Sequence, residues 1–166
     1  ASLWLADATS ITELTQEPRL LTRAEWVRAS MPVWAQLAEP VATSISDALT
    51  RVLEEQAPDE LQSMIAGASK MLRGIGGTMF AMQLGQVVGQ LSTEVVSGGD
   101  VGIPLLDDNV AAIIPQNVRV FSEGLELSDD QVQLYLAVRE LAHARLFRHA
   151  RWLRLHLISS ITEFAR

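Results

Sequence analysis

Apolar residues recur at three- and four-residue intervals through most of the chain, which is the spacing of helices that bury one face. The longest such pattern covers residues 24–55. Thr22 precedes it and Glu25 follows three residues later, so the sequence predicts a capping box at the start of this helix. Pro32 and Pro40 lie within the pattern and predict that the helix is kinked or split, because proline lacks the backbone N–H and clashes with the preceding turn.

A second helix is predicted over residues 57–70. The glycine-rich stretch 73–80 then predicts a helix break or a close helix crossing. Helical periodicity returns over 84–96. Within it, Gly85 and Gly89 are four residues apart, so they are predicted to share one helix face and to allow close packing in the core.

The pattern changes after residue 96. Residues 97–109 are rich in Gly, Asp and Pro, which predicts a loop. The short β-branched stretches 110–116 and 118–127 predict a small antiparallel pair of strands, and Pro115 argues against a central position for the first.

Helical periodicity then continues to the end of the chain. Ser128 is predicted to cap a helix that contains residues 136–147, and the acids that follow it suit the positive end of a helix. A final helix is predicted over 151–166. The expected fold is therefore mainly α, with a small two-stranded β element before the helix of residues 136–147. A length of 166 residues predicts a single domain, 1–166.

Three tryptophans are predicted to belong to the core. Trp26 and Trp34 are eight residues apart, on similar sides of the first long helical pattern, and Trp152 lies in the last helix. We expect all three to be largely buried rather than to line a cofactor site.

Composition narrows the class of protein. The chain has 48% hydrophobic residues and a net charge of -7, so it can bury a core, and a general affinity for nucleic acid is not expected. It has no cysteine, which excludes disulfides, thiolate zinc sites and thiol catalysis and suits a reducing compartment. We expect a cytoplasmic protein with no membrane segment, because its apolar stretches are interrupted by polar residues.

Residues 136–147, LAVRELAHARLF, place charged side chains within an apolar helix. Residues three and four apart share a face, so Glu140 and His143 lie on one stripe between Leu136 and Phe147. A buried pair of this kind must be hydrogen-bonded or metal-bound. A second stripe is purely apolar and is predicted to face the core: Leu134, Val138, Ala142 and Leu146.

The spacing of this segment is that of H-E-x-x-H, in which two histidines bind zinc and the glutamate is the general base. Glu140 stands at the base position, His143 at the second ligand position and Arg139 in place of the first histidine. A guanidinium stays protonated and has no lone pair for a metal. The residues alone leave three interpretations open: a lost metal site, a site that works differently, or an ordinary helix that contains a histidine.

More of the chain than this pentapeptide resembles a known family. The stretches that carry the resemblance are RELAHARLF, ARWLRLHL, LWLADAT, LTRAEWVRASMPVWAQLAEPV and MQLGQVVGQLS. Together they are similar to the actinobacterial zincin-like proteins, which are classed partly as hydrolases and partly as proteins associated with deazaflavin-coenzyme biosynthesis. One branch of that family carries H-E-x-x-H, and this chain resembles the branch with R-E-x-x-H.

The resemblance implies a helical zincin-like domain that forms the N-terminal part of a longer protein. It implies Glu140 as the catalytic residue and His143 as a metal ligand. Arg139, His156 and Glu163 are the candidates for an additional polar site, and a third ligand could also come from beyond residue 166. With Arg139 at a ligand position we expect no cofactor, and zinc is the alternative.

Two functions follow from these expectations. The first is a zincin-like hydrolase of unknown substrate with a degenerate metal site. The second is a non-catalytic binding or scaffolding module, in which Arg139 pairs with a carboxylate where the metal was. A protein partner or a peptide substrate is compatible with either.

Arginines recur every third residue near the C-terminus and form a candidate face for phosphate or an acidic partner: Arg145, Arg148, Arg151 and Arg154. Three-residue spacing drifts around a helix, so this pattern equally describes a solvated surface.

Overall fold

The computed structural model describes residues 1–55, 62–106 and 110–164, and the described part is mainly α-helical. Its elements, in chain order, are α1 (Ser2–Ala8), β1 (Arg19–Leu20), α2 (Arg23–Glu55), α3 (Gln62–Leu91), β2 (Ala112–Ile113), α4 (Pro115–Ser122), α5 (Asp129–His149) and α6 (Arg151–Phe164). The predicted fold class, helices with one small two-stranded β element before the motif helix, is confirmed.

Helix α2 begins with the predicted capping box. The Thr22 backbone N–H and hydroxyl both donate to Glu25 Oε2 at 2.8 Å, and the Glu25 N–H donates to Thr22 Oγ1 at 3.2 Å. The hydrogen bond from the Thr22 backbone lowers the pKa of Glu25, because it stabilises the charged carboxylate. These contacts fix the direction in which α2 leaves β1.

Two predicted breaks in the long helices are wrong. Helix α2 continues from Arg23 to Glu55 with Pro32 and Pro40 inside it, so the prolines do not split it, and a kink at either proline stays a prediction. Helix α3 runs through the glycine-rich stretch 73–80, which is therefore not a break. The two helices pack against each other, and such tertiary packing supports helix where local propensity is poor. The predicted start of the second helix falls on residues 56–61, outside the described residues.

The glycines of α3 do not mark a close helix crossing. A Cβ built on Gly85 or Gly89 would meet no atom of another element within 4 Å, and the same holds for Gly74, Gly76 and Gly77. The expectation that Gly85 and Gly89 allow close core packing is wrong, because α2 does not approach this face closely enough to need the missing side chains.

The small sheet is parallel rather than antiparallel. Strand β1 pairs with β2, with Arg19 opposite Ala112 and Leu20 opposite Ile113. The stretch 118–127, predicted as the second strand, instead contributes the second half of α4 and the turn after it. Pro115 is the first residue of α4, where a proline fits because the first N–H of a helix has no partner within it.

The second edge of β2 is covered by the loop that follows α3. Ser97 forms an antiparallel bridge with Ile113, the Gly98 N–H donates to the Ala112 carbonyl at 2.8 Å, and the Ile114 N–H donates to the Val96 carbonyl at 2.9 Å. Strand β2 is thus held on both sides, and this loop, residues 96–104, lies directly over helix α5.

The stripe of α5 that contains Glu140 and His143 faces the interior of the protein. Leu136, Glu140 and Phe147 are at most 3% exposed, whereas Leu146 of the apolar stripe is 42% exposed. The prediction that the stripe of Leu134, Val138, Ala142 and Leu146 faces the core is wrong for Ala142 and Leu146, which are exposed, whereas Val138 packs against a core cluster. The stripe that contains Glu140 is buried instead, and Glu140 accepts hydrogen bonds from Gly99 of the loop and Ala112 of β2.

The main core cluster joins α2, α3 and the residues around β2. Trp26 is fully buried there, as predicted, and Trp34 is half-buried against the same cluster. Trp152 is 68% exposed, so its assignment to the core is wrong. It lies in the first turn of α6, on a side that no described element covers. Within the described residues, no helix combines the length and the apolar character needed to cross a bilayer.

Candidate functional site

Glu140 is the centre of the candidate site. Its side chain is 3% exposed, and both carboxylate oxygens accept backbone hydrogen bonds. The Gly99 N–H donates to Oε2 and the Ala112 N–H donates to Oε1, each at 3.0 Å. A carboxylate that accepts two such bonds is stabilised in a buried place, because the N–H dipoles replace the water it has lost.

These two bonds place Glu140 at the point where the ladder between β2 and the loop 96–104 ends. Continuation of the antiparallel pattern would pair the Ala112 N–H with the Gly98 carbonyl. The Ala112 N–H donates to Glu140 instead, and the next loop N–H, that of Gly99, donates to the other oxygen. The carboxylate therefore joins the motif helix to the strand and the loop at once.

Arg139, the neighbouring residue on α5, binds the next residue of the loop. Its Nη2 donates to Asp100 Oδ1 in an ion pair and lies 3.5 Å from the Asp100 carbonyl oxygen. The other carboxylate oxygen of Asp100 accepts the Val96 N–H at 2.9 Å. The expectation that Arg139 pairs with a carboxylate is confirmed, and the partner is Asp100 rather than Glu140.

His143 completes the contact, one helical turn after Arg139. Its ring packs edge-on against Phe147, with the centroids 4.7 Å apart. A Cβ built on Gly99 would lie 2.6 Å from Cε1 of His143 and closer still to Nδ1, so only a glycine allows this approach. His143 Nε2 is buried and has no protein partner among the described residues. We call Arg139, Glu140 and His143, with Gly99 and Asp100, the motif clasp.

A small cavity lies beside the motif clasp. Glu140, His143 and Phe147 form one side of it, and Gly99 and Leu105 form part of the other. Its volume is about 10 Å³, close to the smallest space that holds one water molecule. A cavity of this size does not admit a peptide.

The other two candidates from the sequence lie away from the motif clasp. His156 and Glu163 are both exposed on α6. The ring of His156 faces Trp152, with the centroids 6.5 Å apart. Neither residue lines the cavity beside Glu140, so α5 and α6 do not bring the five predicted site residues together.

Comparison with known proteins identifies the family. The family model described as zincin-like metallopeptidase matches residues 1–166. The chain belongs to the zincin-like metallopeptidase family. No curated protein and no solved structure gave a significant match.

Membership of the zincin-like metallopeptidases raises the question of zinc, and the donor set can be tested against it. Catalytic zinc takes three protein ligands and keeps one open position. In residues 1–55, 62–106 and 110–164, no group of three or more His, Asp or Glu side chains could hold a metal ion. Arg139 at the first ligand position is a permanent cation. Of the described residues, only His143 has a buried, unpaired donor atom at a family ligand position, and one donor does not make a zinc site.

Sequence reasoning missed the loop half of the motif clasp. Gly99 and Asp100 were recognised only as loop formers. The adjacent glycines at 98 and 99 were the available signal, because glycine allows another element to approach the backbone closely. The missing information was that this loop crosses α5, which local patterns do not contain.

Proposed function

We propose that this chain is a non-catalytic binding module of the zincin-like family, in which the former catalytic glutamate has a structural role. The observation that carries the proposal is the pair of backbone hydrogen bonds to Glu140. We place the chain in the R-E-x-x-H branch of the actinobacterial zincin-like proteins and expect a cytoplasmic location.

A general base must hold a lone pair toward a water molecule that also faces the substrate. The two oxygens of Glu140 are directed at the N–H groups of Gly99 and Ala112, in a place that is 3% exposed. This arrangement favours a carboxylate that fixes the loop and the strand over one that activates water.

Arg139 supports the same conclusion through its charge. The ion pair with Asp100 puts a guanidinium where a zinc-binding helix has its first imidazole. The cation and its carboxylate hold the loop 96–104 against α5, which a bound metal would otherwise help to do. The motif clasp then holds the zincin-like fold together without a catalytic metal site.

Replacement of Glu140 by glutamine tests the structural role. Glutamine has almost the same shape, but its NH₂ group would face one of the two N–H donors, which leaves a buried donor without an acceptor. We expect Glu140→Gln to lower the free energy of unfolding by about 1–3 kcal/mol in a denaturant titration. The exposed Glu126 provides the matched control, and Glu126→Gln should change stability by less than about 0.5 kcal/mol.

A Glu140→Gln variant that is as stable as the native protein would contradict the structural role. A catalytic base that is not needed for folding would give that result. Elemental analysis of the full-length natural protein gives an independent measurement, and we expect it to contain no stoichiometric zinc.

One observation favours a second candidate, a metal-dependent hydrolase. His143 Nε2 is buried and unpaired among the described residues, as a metal ligand would be before the metal binds. This function needs further ligands from outside the described residues. Stoichiometric zinc in the full-length protein, with peptide hydrolysis lost in both His143→Ala and Glu140→Gln, would establish it in place of the binding module.

A further inference from the structure

A second cavity lies one helical turn beyond the motif clasp. It is a cleft of about 750 Å³ between the end of α5, the start of α6, the segment before β1 and helix α2. Small-molecule sites typically have volumes of roughly 300–1,000 Å³. Its walls carry three arginines, Arg148, Arg151 and Arg154, and Leu155, which is 71% exposed, contributes apolar surface. We call it the arginine cleft.

The arginines converge because the helix stops between them. Arg148 is in the last turn of α5, whereas Arg151 and Arg154 are in the first turn and a half of α6. Ala150 separates the two helices with φ -98° and ψ 65°, outside helical geometry. Arg151 and Arg154 are three apart and share a face of α6. Arg148 lines the same cleft from the end of α5.

Among the described residues, the lining of the cleft contains no aspartate or glutamate that would neutralise these charges. Arg148 donates to Thr15 Oγ1 at 2.7 Å, which is a neutral acceptor. Among the described residues the ion pairs use Arg139 and Arg145, and the three cleft arginines take part in none. A guanidinium does not lose its proton, so the positive charge of the cleft is permanent.

This positive charge stands in a chain whose net charge is -7. In an acidic protein the arginines could all form ion pairs with its own carboxylates. Among the described residues, however, the three arginines of the cleft form none. Three guanidinium groups that line one cleft are typical of an anion site, because they carry permanent charge and paired N–H donors.

We propose that the arginine cleft binds a small organic phosphate. Guanidinium groups match phosphate oxygens in paired hydrogen bonds, and the exposed side chain of Leu155 offers surface to an apolar part of the same ligand. The overall charge of -7 repels large polyanions such as nucleic acid or an acidic protein, whereas a small anion that fits within the cleft meets mainly the local arginines. The proposal does not depend on the role of the motif clasp.

Titration calorimetry of the full chain with phenyl phosphate tests this inference. Phenyl phosphate should bind with one-to-one stoichiometry and more tightly than inorganic phosphate, because only the ester has an apolar part. Binding should weaken as salt is raised. Arg151→Gln and Arg154→Gln should each weaken it roughly tenfold, the usual effect of losing a charge-assisted hydrogen bond. Arg154→Lys keeps the charge but not the paired geometry and should give an intermediate loss.

Arg51→Gln is the matched control, because Arg51 is exposed on α2 and does not line the cleft. It should bind phenyl phosphate as the native protein does. Thermal unfolding followed by circular dichroism should show the same midpoint for the cleft variants and the control, which separates loss of the site from loss of the fold.

Three results would overturn the proposal. The first is that phenyl phosphate does not bind at millimolar concentration. The second is an equal fall in its affinity in Arg51→Gln and in the cleft variants, which would indicate general charge attraction. The third is tighter binding of a glutamate-rich hexapeptide than of phenyl phosphate, which would make an acidic peptide the occupant. None of these outcomes changes the stability test of Glu140→Gln, so the two proposals fail separately.

Discussion

Gly99 shows at the scale of a single residue how the motif helix and its loop depend on each other. The Gly99 N–H binds Glu140, and its Cα faces the ring of His143. A methyl group at this position would lie 2.6 Å from Cε1 of His143, so either the ring or the loop must move.

We therefore expect Gly99→Ala to destabilise the protein by about 1–3 kcal/mol, the usual cost of overpacking a tight site. The NMR signals of the His143 ring should shift at the same time. Gly85→Ala serves as the control, because a Cβ there has nothing of another element within 4 Å. Gly85→Ala should be neutral or stabilising by up to about 1 kcal/mol, since alanine is the better helix former. Equal effects of the two changes would show that the loop does not hold His143 as described.

The residue at position 139 is expected to control the affinity for zinc. Replacing it by histidine removes the cation and adds an imidazole one turn before His143, close to the carboxylate of Asp100. Three groups that can donate to zinc would then lie together. We expect Arg139→His to raise zinc affinity by at least tenfold over the native protein, measured by titration calorimetry.

Arg139→Gln separates the two effects of that change, because it removes the charge without adding a ligand. It should give no comparable rise, and a further His143→Ala change in the Arg139→His background should abolish the gain. Tight zinc binding by the native protein, lost in His143→Ala, would instead support the hydrolase function.

At the scale of elements, local signals predicted most of the helices and the place of β2, but not β1 or the parallel pairing. The Thr22–Glu25 capping box was predictable because its determinants lie within four residues of each other. Ser128 is the N-cap residue of α5, as predicted, but its side chain makes no capping hydrogen bond. Strands β1 and β2 have two residues each, and they pair across more than ninety positions of sequence. A period-two pattern cannot be recognised in two residues, so neither strand boundary nor parallel pairing could be read from it.

Helix α4 was predicted as part of a strand because its position depends on contacts with distant parts of the chain. Its valines alternate with polar and aromatic residues as a strand would, yet only Asn117 and Val118 of this helix are buried. Asn117 donates to the carbonyls of Ser92 and Val95 and accepts a bond from Arg23 at 2.7 Å. These partners come from two other parts of the chain, and they position α4 through contacts that its own sequence does not reveal.

The residues of the motif clasp on α5 were predictable from the sequence, whereas its residues on the loop were not. The three residues on α5 were recognised because helical spacing places them at adjoining positions of one surface. The pairing of Arg139 with a carboxylate was predicted from the place of this arginine, at a metal-ligand position beside Glu140 and His143. The identity of Asp100, 39 residues earlier, and the two N–H donors to Glu140 depend on the path of the loop 96–104, which only the tertiary structure gives.

For the molecule as a whole, the buried residues are distributed unevenly. Around β2 and α5 several side chains are at most 1% exposed, among them Leu136 and Ile114. In contrast, residues 38–52 of α2 and 74–87 of α3 contain no buried side chain, and several of their large apolar residues are about half-exposed. Elements with little burial open with a lower free energy than the core does.

We therefore expect native-state hydrogen exchange to be faster over residues 40–52 and 76–87 than at the amides of Gly99 and Ala112, measured by mass spectrometry or NMR. The latter two donate to the buried Glu140, so their exchange requires the motif clasp to open. Glu140→Gln should speed exchange at those two amides while leaving the distant part of α2 unchanged, because opening there does not involve the clasp. Uniform exchange throughout the chain would contradict this view. So would protection of Gly99 and Ala112 that does not respond to Glu140→Gln, since the carboxylate would then not be what holds the loop and the strand in place.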